Sequence, residues 1–120
     1  MDISPERLEI YRKTALKRER EQKALLSLRY KRAWEVARLA AIKLKEEFGA
    51  SRVVVFGSLL YPERFHLRSD IDLAGWDIRK YFRAVSHMLD IDPEFEIDLV
   101  PMEDARDSIA EVVKREGVEL

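Results

Sequence analysis

Three aspartates and one turn are the residues of this chain best suited to chemistry. Asp70 and Asp72 stand one residue apart in "SDIDLAGW", and Asp98 sits in "FEIDLV". Upstream, "VVVFGS" runs a β-branched segment into Gly57-Ser58. Side chains two apart on a strand point the same way, about 7 Å apart along it. Asp70 and Asp72 would thus present two carboxylates on one sheet face, and a neighbouring third strand would add Asp98. Clustered anions repel and raise one another's pKa, which makes them a poor core feature. A divalent cation resolves the conflict: hard carboxylate oxygens suit Mg²⁺ or Mn²⁺, which also accept water and substrate phosphate as ligands. Gly57 permits close backbone approach to a ligand, and Ser58 adds a hydroxyl beside exposed N–H groups, an arrangement that suits a phosphate. Taken singly, a Gly-Ser after a strand is an ordinary turn and D-x-D an ordinary solvated strand face. Their combination, in order, on elements that must be neighbours, points to a phosphate donor held near metals.

The elements that would position these residues follow from periodicity. Ser4-Pro5 reads as an N-cap with proline at the first helical position, and Ile3 and Leu8 are placed for a hydrophobic staple. From residue 26 the apolar positions fall at 26, 30, 33, 37, 40/41, 44 and 48, a helical spacing that Gly49 ends. Residues 17–23, KREREQK, have almost no apolar face, so the expectation is a mostly continuous helical arm projecting into solvent. Arg52 to Phe56 reads as a buried strand, and Ser69 to Ala74 as an alternating one. Asp77 is expected to cap a second helix with apolar positions Ile78, Tyr81, Phe82, Val85, Met88 and Leu89. Pro93 falls in a turn, and Phe95, Ile97 and Leu99 form one face of a third strand. A last helix after Pro101 carries Ala105, Ile109 and Val112 and stops at Gly117. The order α-β-β-α-β-α predicts one α/β (α+β) domain, a small mixed sheet flanked by helices.

Composition bounds the function. At 120 residues one domain is expected, and 38% charged residues predict long solvated helix faces. The chain has no cysteine, which excludes disulfides and thiolate metal sites. No apolar run approaches the roughly 18 residues of a membrane span, and MDISPERLE lacks the pattern of a signal peptide, so a cytoplasmic protein without membrane partners is expected. The net charge of −1 hides an asymmetry. Residues 1–50 carry 13 Lys/Arg against 8 Asp/Glu, and residues 51–120 carry 9 against 15. The basic half is either a solvated helical face or a docking surface for an acidic partner or nucleic acid.

The motifs "FGS…SDIDL…FEIDLV" resemble those of the minimal nucleotidyltransferases of the DNA polymerase β superfamily, from about Val53 to Leu120. The resemblance implies a polymerase-β-like nucleotidyltransferase core over residues 31–120, with residues 1–30 as an N-terminal helical arm outside the match. It implies that Gly57 and Ser58 grip the terminal phosphates of a nucleoside triphosphate. It also implies that Asp70, Asp72 and Asp98 are catalytic and ligate Mg²⁺ or Mn²⁺, Asp98 helping to activate the attacking hydroxyl. ATP is then the substrate. The chain departs from the family in the eleven residues LLYPERFHLRS, Leu59 to Ser69, where members commonly carry about ten opening with a small residue and Arg-Gly. Whether Arg64 or Arg68 supplies a cation to the triphosphate stays open at this point. His66 and His87 have no ligand-spaced partners and carry no role.

Minimal members resemble the antitoxins of two-gene modules whose partner is a HEPN ribonuclease toxin. By that resemblance, this chain transfers AMP to a tyrosine hydroxyl of its partner. One alternative is a non-catalytic antitoxin that masks its partner by binding. Another is a free-standing transferase acting on RNA or a small molecule, whose basic arm could track phosphates. Tyr11 and Tyr30 are too sparse to suggest base stacking, and Trp34 is expected beside the core face. A homo-oligomer is compatible with the sequence.

Overall fold

The computed structural model describes residues 4–120. In chain order the elements are α1 (Pro5–Phe48), β1 (Arg52–Phe56), β2 (Ile71–Trp76), α2 (Tyr81–Leu89), β3 (Ile97–Pro101), α3 (Asp107–Glu116) and β4 (Val118–Glu119). Short 3₁₀ turns cover Gly57–Leu60 and Met102–Asp104. The four strands form one mixed sheet in the order β3-β2-β1-β4, with only β2 and β3 parallel.

α1 begins where its capping chemistry predicts. The Ser4 hydroxyl accepts the Arg7 N–H at 3.2 Å, and Pro5 opens the helix. Ile3, one half of the expected staple, lies outside the described residues. At the other end Gly49 takes a left-handed conformation, φ 70°, and donates its N–H to Leu44. The helix runs unbroken through KREREQK, where a Glu19–Lys23 pair one turn apart spans 3.2 Å. Its 44 residues account for the molecule's longest dimension of 65 Å, at about 1.5 Å per residue. Residues 4–25 are exposed throughout, whereas Leu26, Tyr30 and Trp34 pack against the core. From there Ala33, Val36, Ala37, Ala40, Ala41, Leu44 and Phe48 are buried. The alanines let the helix lie close to the sheet.

Alternation along the strands gives the sheet two different faces. Val53, Val55, Ile71, Leu73, Ile97 and Leu99 meet α1 together with Ala84 and Met88 of α2, forming the main core. The opposite face holds a smaller cluster in which Val54 and Ala74 pack with Val113 of α3, flanked by Phe56, Trp76, Met102 and Ile109.

Four local expectations are corrected. Asp77 does not cap α2: the helix starts at Tyr81, after positive-φ residues at Asp77 and Lys80. The Asp77 carboxylate accepts the Ser51 hydroxyl instead, and its N–H donates to Glu103. That start sets the helix's phase, so Ala84 and Met88 turn inward while Phe82 and Leu89 are exposed. β2 begins at Ile71 rather than Ser69, because residues 66–69 close a turn in which Ser69 Oγ accepts the His66 N–H. In α3 the buried residue is Val113, not Val112, and Ala105 precedes the helix. After Gly117 the chain adds a fourth strand, whose Val118 and Glu119 pair with Val55 and Val54. Both are exposed and carry no apolar pattern, so nothing local announces it.

Candidate active site

The parallel pairing of β2 with β3 sets Asp72 directly opposite Asp98. Neighbouring strands lie about 4.8 Å apart, so the two carboxylates leave adjacent positions on the same face. On the other side of Asp72, the antiparallel pairing with β1 sets Phe56, the last residue before the Gly57-Ser58 turn. One row across the sheet therefore reads Asp98, Asp72, Phe56. The next row, Val100, Ala74 and Val54, leads under α3. α3 thus roofs part of this face and leaves the carboxylate row at its edge. Asp72 is half-buried and Asp98 is exposed. Asp70, one residue before β2, is half-buried.

The electrostatics follow from that placement. Burial, then the charge of Asp98, then that of Asp70, raise the Asp72 carboxyl from its ordinary value of 3.8 to about 6. Asp98 and Asp70 thus both act on the Asp72 carboxyl. Among the described residues, however, no three His, Cys, Asp or Glu side chains close around a single metal position. Burial and, after it, Asp98 also raise the phenol of Tyr81, whose hydroxyl donates to the Leu99 carbonyl at 2.6 Å.

Gly57 is fixed by the same constellation. Its φ of 80° is left-handed, and a Cβ built on it would stand 2.3 Å from Asp72 Oδ2. Only glycine lets the turn pass this close to the carboxylate. Ser58 follows, half-buried, and its carbonyl accepts the Tyr61 N–H at 3.0 Å, closing the 3₁₀ turn. The five residues singled out from the sequence are thus brought to one edge of the sheet, the turn on one side of Asp72 and Asp98 on the other.

The two arginines of the β1–β2 loop separate. Arg64 lies over the Tyr61 ring, 4.6 Å from its centre, while Arg68 lines a cleft of about 530 Å³ with Lys23, Leu26 and Leu67. His66 Nδ1 accepts the Arg68 N–H within its own loop, and His87 packs edge-on against Phe48. Sequence reasoning did not find Tyr61, Arg115 and Glu116, which gather beside the turn. Glu116, beside the Tyr61 phenol, raises it above the ordinary tyrosine range, with burial acting the same way and Arg64 and Arg115 in the opposite sense. The sole advance signal was the unbroken polar run Lys114-Arg115-Glu116 at the end of an otherwise amphipathic helix.

No protein-family model matches the sequence, and no curated protein matches it. Solved structures do. One is a crystal structure of a toxin–antitoxin with AMP-PNP, with a TM-score of 0.55 and 21% identity, covering 67% of this chain and 68% of that one. The likeness is one of fold. A second is the toxin–antitoxin MntA-HpeT carrying two aspartate-to-glutamate changes, with a TM-score of 0.53, 19% identity and coverage of 66% and 67%. Structures of toxin–antitoxin systems thus share the fold of about two thirds of this chain. Among the described residues no helix is long and apolar enough to cross a membrane.

Proposed function

We propose that the chain is a metal-dependent nucleotidyltransferase of the minimal, polymerase-β-like kind, acting as an antitoxin. Its reaction would transfer AMP from ATP to a tyrosine hydroxyl of a HEPN ribonuclease toxin. The observation that carries this reading is the register of Asp72 against Asp98, with Gly57 held by a positive φ hard against the Asp72 carboxylate. The fold likeness to toxin–antitoxin structures supports it, one of them solved with AMP-PNP and another altered at two aspartates two positions apart.

The donor set fits Mg²⁺, which binds through one or two carboxylates together with substrate phosphates and water rather than in an all-protein cage. Asp70, Asp72 and Asp98 would hold it; when bound, it would acidify the acceptor hydroxyl and neutralise the leaving pyrophosphate. The residues of the chain do the rest. Gly57 and Ser58 seat the terminal phosphates on the turn, leaving the α-phosphorus over the carboxylate row. The acceptor oxygen attacks that phosphorus in line, the bond to the bridging oxygen breaks, and pyrophosphate leaves. Asp98, exposed on the acceptor side, takes the hydroxyl proton. Such catalysis is mainly positioning and charge stabilisation, so a histidine is not needed.

The lack of a closed three-ligand cluster among the described residues favours a second reading, an antitoxin that masks its partner without chemistry. One experiment separates the two. The chain is incubated with its HEPN partner, ATP and Mg²⁺, and the partner's intact mass and ribonuclease activity are measured. A transferase leaves the partner heavier by one or more AMP and inactive after the chain is removed. Asp70→Asn with Asp72→Asn abolishes the mass gain and leaves any complex intact. Ser58→Ala is milder, roughly ten- to hundred-fold, since the turn's backbone donors remain. Inhibition without a mass change, surviving in the double variant, establishes masking. Independently, ATP should raise the melting temperature only with Mg²⁺ present; an equal rise in EDTA removes the metal from the reading.

A further inference from the structure

The first half of α1 packs against nothing in its own chain. Residues 5–25 are exposed throughout, although helices in proteins owe most of their stability to a packed face. Glu19, Gln22, Lys23 and Leu26 face the β1–β2 loop across a cleft, which fixes the rotation of the helix. On the opposite, solvent-facing side, the alternating four- and three-residue spacing selects Ile10, Thr14, Lys17, Glu21, Ala24 and Leu28. All six are exposed. Ile10 and Leu28 stand 64% and 65% exposed, with Tyr11 at 67% and Leu25 at 59% beside them. Each end of this stripe is therefore apolar, and its middle carries one cation and one anion. Ion pairs along the arm join Glu9 to Lys13 and Glu19 to Lys23, leaving Lys17 and Glu21 to face outward.

We propose that this stripe pairs two copies of the chain through an antiparallel contact of their arms. The pattern is its own complement about residue 19. With one arm reversed, Ile10 of one protomer meets Leu28 of its partner, Thr14 meets Ala24, and Lys17 meets Glu21. A two-fold axis makes each of these contacts twice. A parallel pair would instead set Lys17 on Lys17 and Glu21 on Glu21. The overlap runs from Pro5 opposite Ala33, a strip about 45 Å long and about 10 Å wide. That footprint of roughly 450 Å² per copy lies at the low end of specific interfaces, so the dimer should be reversible. A nucleic acid would meet isoleucine, leucine and a carboxylate on this same face. Pairing leaves both carboxylate rows open, because α1 covers one face of the sheet and the row lies on the other.

Sedimentation equilibrium of the full chain, from about 1 to 200 μM, tests the pairing. The mass should rise with concentration from 14.1 kDa toward twice that value. Leu28→Glu should weaken the dimer by roughly tenfold or more. Lys17→Glu and Glu21→Lys should each weaken it severalfold, by setting like charges across the axis. Combined, they restore the complement and should recover the parental affinity within about twofold. Leu39→Glu and Ile42→Glu alter exposed apolar residues of α1 beyond the overlap and should change nothing. The chain has no cysteine, so Thr14→Cys with Ala24→Cys should yield an oxidised, covalent dimer that neither substitution yields alone. Circular dichroism checks the helix; should Leu28→Glu lose it, the charge exchange, which keeps the composition, decides. A mass fixed at 14.1 kDa overturns the proposal. So do a double charge variant as weak as the single ones, a loss with Leu39→Glu matching that of Leu28→Glu, or a covalent dimer from Thr14→Cys alone.

Discussion

Leu73 and Asp72 are chain neighbours with opposite fates. Leu73 is fully buried between the sheet and the helices α1 and α2, in a core that also takes Ile71, Ile97 and Leu99. Asp72 points to the face that α3 only partly covers, where a carboxylate half out of water meets two others. The same strands thus build a packed face and a charged one, kept apart by the two-residue period of the strand. A register slip of one residue would exchange them. The main core carries the stability, and this frees the thinner α3 face to tolerate a row of anions that opposes folding.

Leu73→Ala should strike this contrast hardest. Removing a fully buried leucine from the packed face costs about 2–5 kcal/mol, measurable by urea unfolding. A loss below about 1 kcal/mol would deny that this face is the core. Gly57→Ala should come next, at about 1–3 kcal/mol, because it forces a non-glycine residue into a φ of 80° with a methyl against Asp72. It should also erase the Mg²⁺·ATP rise in melting temperature. Wild-type stability with an intact rise would show that turn and carboxylate do not confront each other.

Asp72→Asn should have the smallest effect, and the opposite sign. The folded-state pKa of about 6 lies above the ordinary 3.8, so ionising Asp72 opposes folding. That opposition is complete above about pH 6 and gone below 3.8. The asparagine variant should therefore be slightly more stable at pH 7.5, by less than about 1 kcal/mol given solvent screening, and equal to the parent near pH 3.5. Destabilisation at pH 7.5 would instead place Asp72 in a structural hydrogen-bond network.

Much of this was legible in the chain itself. The docked half of α1 shows its buried stripe at helical spacing, and both of its ends carry capping residues whose effect is local. The alternation around Asp72 and Asp98 fixes which side chains share a face, since that depends only on the strand's geometry. Where the outcome depended on remote partners, the sequence was silent or misleading. Asp77 looks like a cap, but Ser51 and Glu103 recruit it from other elements. β4 is two exposed residues that become a strand only because β1 offers an open edge.

The residue types at the candidate site, and the near-adjacency of Asp70 and Asp72, belong to the sequence alone. Tertiary structure decided three further things. Parallel pairing set Asp72 opposite Asp98, across 26 positions of chain. Packing buried Asp72 far enough to raise its carboxyl to about 6. Chain reversal through α3 and β4 brought Glu116 beside Tyr61, leaving Arg64 on one side of its loop and Arg68 on the other. The physical reason is common to all three. Periodicity and capping act over a few residues, whereas register, burial and charge coupling depend on which distant segments the fold brings within a few ångströms.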